Sequence, residues 1–313
     1  MVATIITNDT ALDELTLPLG FQFDALVPEG LSREQIQLVK TNNSRMANET
    51  PDMEIRITEY FNKNRGPHTR NDPRARYEGV TQVGNTLLVM YSEDWYATHF
   101  FTSKTALPRS RKGDPLSING IVLTTDSRLP YGLRNPQTTD QGKRYHIVPA
   151  GFTDVQAIKA ESPMETSVRK MLDEMDFRGT YVSEKPYFAA GREFQEELSI
   201  LGENPELNPE DMRVIAIIYN SRNNYDTTMA TTIPVNVRSS VLSLKGDEHL
   251  HQLEFVDIEP RALTDLLFEF SLAPDTNSGH FRGDIAALIA HRFGVDTMMQ
   301  SLHEVHTRLA TYI

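Results

Sequence analysis

The chain of 313 residues has no cysteine. Disulfides and thiolate zinc sites are therefore excluded. It has no apolar run of about 18 residues, the length a membrane-spanning helix needs. Its opening, MVATIITNDTALDELTLPLG, is too acidic and too short in its apolar stretch for a secretory signal. A cytoplasmic location without membrane contact is the expectation. Positive charge is scarce: 31 Lys and Arg stand against 43 Asp and Glu, a net charge of −12. Non-specific binding to nucleic acid needs a positive field, so no nucleic-acid partner is expected. There is no G-x-S-x-G and no G-x-x-x-x-G-K-[ST], which leaves hydrolase-elbow and P-loop chemistry unsupported. No internal repeat or low-complexity tract appears.

What is present suits a globular enzyme. Hydrophobic residues make up 39% and charged residues 24% of the chain, ordinary values for a folded protein. The length allows two domains with a sizeable core. The most informative stretch is EKPYFAAGREFQEELSI, Glu184 to Ile200. Its composition predicts one helix, with Tyr187, Ala190, Phe194 and Leu198 on an apolar stripe. Glu193, Glu196 and Glu197 recur at i, i+3, i+4 and stack on another face. A solvated acidic surface is the ordinary reading of such a trio. The other is that a cation sits among them, and oxygen-only ligands select a hard ion, magnesium or manganese.

Arg192 precedes Glu193, and Glu184 lies eight residues before Arg192, so the stretch reads E-x7-R-E-F-x-E-E-x-x-I. This resembles the Nudix box, G-x5-E-x7-R-E-U-x-E-E-x-G-U with U bulky and apolar. Two positions depart from it. Arg178 stands where the first glycine belongs, and Ser199 replaces the last, with Gly202 three residues on. Upstream, YHIVPAGFTD (145–154) looks like the strand and turn that open such a box, with Pro149, Ala150 and Gly151 making the turn. An insertion at about 152–180 would then separate turn from helix, and PMETSVRKMLDEM within it reads as an extra helix. In layout alone, the chain is similar to Nudix proteins that hydrolyse UDP-glucose and UDP-galactose.

The resemblance implies an α/β/α Nudix sandwich with a mixed sheet over 113–313, preceded by a smaller α+β N-terminal domain over 1–112. It implies hydrolysis of a nucleoside diphosphate linked to another group, a UDP-sugar being one candidate. Glu193, Glu196 and Glu197 would hold Mg2+ or Mn2+, with the Gly151 carbonyl as a further ligand. Arg192 would pair with Glu184 and lock the strand–loop–helix geometry. Glu248 in KGDEHLHQLEF is the local candidate for the general base. His249 and His251 beside it read as exposed loop residues or as a phosphate or metal pair, and Glu254 as a strand residue facing solvent. Family members commonly dimerise, so a homodimer is possible. A catalytically weak nucleotide-binding or regulatory module on the same scaffold is the alternative.

Elsewhere, LSREQIQLVKTNN (31–43) predicts a helix with Leu31, Ile36 and Val39 inward. MEIRITEYFNKN suits strand or helix. RGPHTRNDPRARYEG (65–79) reads as a basic loop whose Arg65, Arg70, Arg74 and Arg76 face an anionic ligand or balance nearby acids. Gly84-Asn85 signals a hairpin. Trp95, Tyr96, Phe100 and Phe101 read as packing residues more readily than as a base-stacking platform. TALPRSRKGDP (105–115) is the linker candidate. From residue 116 onward the order strand, strand, helix, strand, strand, strand, helix predicts a mixed sheet between helices.

Overall fold

The structure, a computed structural model, describes residues 3–41, 51–65, 73–103, 109, 114–134, 144–152, 179–181, 186–202, 207–222, 226–245, 250–277 and 279–312. The most β-branched run, RVIAIIYN, is strand β11 (Arg213–Asn220), buried from Val214 to Asn220. A strand buried on both faces has no need to alternate polar and apolar residues. It lies inside a five-stranded sheet with β1 (Phe21–Leu31), β12 (Thr227–Pro234), β5 (Leu116–Leu123) and β8 (Ala150–Phe152), in the order β1-β11-β12-β5-β8. β12 and β5 run parallel, and the other three pairings are antiparallel. The sheet is therefore mixed.

Successive residues of these strands feed two cores. Ile218, Ala230 and Ile121 face helices α5 (Pro260–Leu272), α6 (Gly279–Phe293) and α7 (Val295–Ala310). Ile217, Met229, Ile118 and Val122 face the opposite way, onto helix α4 (Pro186–Glu197). The period-two pleat thus makes a layered α/β architecture, helices covering both faces of the sheet.

A second, four-stranded sheet accounts for most of the N-terminal third. Its order is β3 (Pro73–Val83), β4 (Thr86–Trp95), β2 (Ile36–Thr41) and β9 (Gly179–Tyr181). Its Ile36, Leu38, Tyr77, Leu87 and Val89 join the α4-side core. Helices α2 (Pro51–Asn64) and α3 (Tyr96–Ser103) pack Ile57, Phe61, Phe100 and Phe101 into a satellite cluster. Strand β1, however, belongs to the five-stranded sheet, so the expected division at residue 112 runs between strands that share one core. Arg109, within the expected linker, joins the two sides. It grips Asp24 of β1 through two nitrogens at 2.8 and 2.6 Å and reaches Asp114 at 3.2 Å.

Two local expectations are corrected, and one left open is decided. Residues 36–41 form a strand rather than a helix, because pairing with β4 and burial of Ile36, Leu38 and Val39 override a weak helical pattern. Arg74 and Arg76 lie on strand β3 rather than in a loop, and Arg76 is buried between Glu78 (3.0 Å) and Asp94 (2.7 Å), the acid-balancing one of the two readings. Residues 51–64 are helical, with Asp52 and Glu54 in the first turn and Lys63 in the last, as the helix dipole favours. The hairpin at Gly84-Asn85 forms as expected. No helix among the described residues is long and apolar enough to cross a membrane.

Candidate active site

Helix α4 presents the expected apolar stripe: Tyr187, Ala190 and Phe194 are buried, and Leu198, just past its end, is buried too. It ends at Glu197, sooner than the sequence suggests. Leu198–Ile200 instead form β10, paired with β13 (Leu242–Leu244), and Ser199 and Ser243 hydroxyls meet at 2.9 Å. The glutamates therefore occupy the last turn and a half of the helix. Its C-terminal end carries the negative pole of the dipole, which raises the local need for a cation.

The strand they face is held by close packing. The Gly120 amide donates to the Pro149 carbonyl at 2.7 Å, and a Cβ at Gly120 would meet the Pro149 ring at 2.8 Å. That contact seats β8 against β5 and aims Gly151 at the helix. A Cβ at Gly151 would fall 2.1–2.3 Å from the Glu193 carboxyl atoms, so only glycine lets this carboxylate rest on the strand. One residue earlier, the Ala150 amide donates to Glu197 Oε2 at 3.0 Å. Glu193 and Glu197 are 8% and 7% exposed, whereas the Glu196 side chain is 55% exposed. Two carboxylates are thus sunk against Ala150 and Gly151, and the third stands at the rim.

Burial pushes the Glu197 carboxyl up to about 8, and Glu193 and Glu196 add repulsion. The Arg134 charge and the Ala150 amide oppose the rise without cancelling it. Arg192 lies across the other two glutamates, 2.7 Å from Glu193 and 3.3 Å from Glu196, and it donates to the Phe152 carbonyl at 3.3 Å. It therefore ties helix to strand. Its expected partner Glu184 lies outside the described residues, as do Glu248, His249 and the bulk of the expected insertion. The turn at 223–226 is likewise described only at Asp226.

The donor chemistry fits a hard divalent cation: carboxylate oxygens crowd one strand, one of them is buried with like-charged neighbours, and no softer ligand is among them. Among the described residues no three His, Cys, Asp or Glu side chains stand close enough together to hold a metal as they are now placed. Loading such an ion would move Arg192 off Glu193 or Glu196. Glu254, expected to face solvent, instead accepts hydrogen bonds from Tyr131 (2.7 Å) and Tyr145 (3.1 Å). Arg134 has no sequence signal that pairs it with Glu197; only the fold brings it near.

Comparison with known proteins adds little. No family model matches the chain, and no curated protein matches it. Among solved structures, DR0079 from Deinococcus radiodurans overlaps 54% of this chain and 80% of its own at 13% identity and a TM-score of 0.33. A bifunctional NMN adenylyltransferase/ADP-ribose pyrophosphatase from Francisella tularensis, complexed with AMP and a manganese ion, overlaps 56% of this chain and 41% of its own, at 10% identity and a TM-score of 0.33. A second structure of a bifunctional NMN adenylyltransferase/ADP-ribose pyrophosphatase from Francisella tularensis overlaps 57% of this chain and 41% of its own, at 10% identity and a TM-score of 0.34. The chain thus spans less than half the length of the bifunctional enzyme.

Proposed function

We propose that this chain is a Nudix-type pyrophosphohydrolase that uses a divalent cation, Mg2+ or Mn2+, to hydrolyse a nucleoside diphosphate linked to another moiety, a UDP-sugar being one such substrate. One observation carries the reading: the carboxyls of Glu193 and Glu197 converge on the Ala150–Gly151 strand, as the box spacing requires of metal ligands. Glu193 and Glu197 would hold the ion at the strand, with Glu196 at the rim and the Gly151 carbonyl as a further ligand. When bound, the ion would supply a water of lowered pKa and shield the diphosphate charge. A diphosphate would otherwise be repelled by an acidic protein. Arg192 orients the helix against Phe152. Glu248, outside the described residues, is the candidate general base by its sequence context alone.

The test is magnesium-dependent release of nucleoside monophosphate from a panel of nucleotide sugars, dinucleotides and triphosphates. Glu197→Gln is expected to lower that release by more than about 100-fold. It should remain folded, because a neutral amide still accepts from the Ala150 amide. Wild-type protein that releases none from the whole panel would point to the regulatory-module reading.

A further inference from the structure

We propose that Arg282 and Arg222 form a binding site for a phosphate-type oxyanion at the start of helix α6, on the face of the five-stranded sheet opposite the glutamates. The site is independent of the hydrolase reading above.

Arg282 is the largest of the fully buried side chains, 0% exposed. Its Nη1 donates to the Phe270 carbonyl at 3.1 Å. Its Nε and Nη2 have no hydrogen-bond partner among the described residues. Asp275, exposed just after α5, attracts the guanidinium through space without pairing with it. A buried cation without a partner is among the costliest groups a fold can hold. Two features add to the cost. Arg282 lies in the first turn of α6, where the helix dipole is already positive. Arg222 repels it as well; burial first, and then that repulsion, push the Arg282 guanidinium down to about 10. At neutral pH it is still charged. Nε and Nη2 share one edge of the guanidinium, the edge that takes two oxygens of an oxyanion in parallel.

Gly20 sets the two arginines side by side. A Cβ there would meet Arg282 Nη2 at 2.8 Å and the Arg222 stem, its Cβ and Cδ, at 3.0 and 3.2 Å. The corner around them is fixed. The Gly20 carbonyl accepts from the Ser221 amide at 3.1 Å, and Asn220 Oδ1 accepts from the Arg222 amide at 3.3 Å. A Cβ at Gly279 would run into both that carbonyl and the Asn220 side chain. The entry to β1, the exit from β11 and the first turn of α6 therefore meet at one point. Arg222 is exposed, and its guanidinium has no ion pair among the described residues. A swing of this one surface side chain uncovers the Arg282 edge and brings a second guanidinium to the same ligand. Two guanidiniums and a positive helix end, set against Asp275 alone, match the two charges of a phosphate better than the one charge of a carboxylate.

The test uses the wild-type protein in EDTA and phosphate-free buffer. Inorganic phosphate is titrated against chloride and acetate at constant ionic strength. Phosphate alone is expected to raise the melting temperature, by roughly 2 °C or more near saturation. Glu197→Gln should respond as wild type does, because the sheet separates it from the site. Arg222→Gln, a change at an exposed position, should weaken phosphate binding about tenfold by calorimetry. Arg282→Met keeps the stem and removes the charge. It should lose the response and, without phosphate, melt no lower than wild type, since it relieves a buried unpaired cation. Should Arg282→Met fail to fold, Arg222→Gln decides alone. Glycerol 3-phosphate in the same titration separates the sources: tighter binding than inorganic phosphate assigns the site to the phosphate of a larger molecule, and equal or weaker binding to the free ion. No wild-type response beyond that of chloride and acetate, or a response undiminished in Arg222→Gln or in folded Arg282→Met, would overturn the proposal.

Discussion

The five-stranded sheet buries one displaced carboxyl on each face, and the two differ in everything but their titration. Glu197 lies on the α4 face and Asp284 on the α6 face, and burial pushes both up to about 8. Asp284 is fully buried; Asn119 of β5 donates to its Oδ2 at 2.6 Å, and its Oδ1 has no partner among the described residues. It sits on helix α6, whose residues from Ile285 to Ala290 are all buried in the apolar core. Glu197 instead rests, with Glu193, against the Ala150–Gly151 strand, has Glu196 at the rim, and feels the Arg134 charge. A raised pKa alone therefore does not mark a site. What distinguishes Glu197 is a group of like charges gathered beside Gly151, where a Cβ would fill the space of the Glu193 carboxyl.

The sharpest way to break that contrast is to neutralise each acid. Glu197→Gln should cost more than about 100-fold in magnesium-dependent hydrolysis, and Asp284→Asn less than about twofold, in the same assay. Mg2+ should raise the melting temperature of the wild type and of Asp284→Asn, and leave Glu197→Gln unmoved. Equal losses in both variants would mean that Glu197 is one more buried acid. A smaller effect is expected from Gly151→Ala. Its methyl group would occupy the space of the Glu193 carboxyl. The side chain must swing away, with a loss of roughly tenfold in activity and about 1–3 kcal/mol in stability by urea denaturation. Unchanged activity in Gly151→Ala would detach the strand from the site.

The two faces were not equally legible in the sequence. The helix of the glutamates and its apolar stripe follow from spacing and composition, since i, i+3, i+4 recurrence reports directly on a helix face; the turn expected from the resemblance at Pro149–Gly151 is instead a bend at Val148–Pro149, with Ala150 and Gly151 on strand β8. The strands β11 and β12 and the closing helices were also readable as β-branched runs and amphipathic stretches. What spacing could not supply was tertiary. Arg134 and Phe152 enter the site through the fold. Residues 36–41 take the strand state because β4 offers a partner. Leu198–Ile200 leave the helix because β13 does. Asp284 on α6 had no signal at all: one acid in an apolar helix reads as a surface position until Asn119 is found beneath it.

Asp284 also gives the cleanest prediction, one of pH-dependent stability. In the unfolded chain its carboxyl ionises near 3.8, whereas in the folded protein it holds its proton to about 8. Between those values the native state binds a proton that the unfolded state has released. Stability from this group is therefore complete below about pH 4 and lost as pH rises through 8. Asparagine carries no such proton. The stability of Asp284→Asn relative to wild type should thus grow with pH, by at most about 1.4 kcal/mol per unit, and level off above pH 8. Urea denaturation at pH 5, 6 and 7 measures it. Because Asp284 is sealed from solvent and distant in character from the glutamate cluster, Mg2+ should leave this difference untouched. Parallel curves for the two proteins across that range would show that Asp284 is ionised in the fold, and the contrast between the two faces would then rest on Glu197 alone.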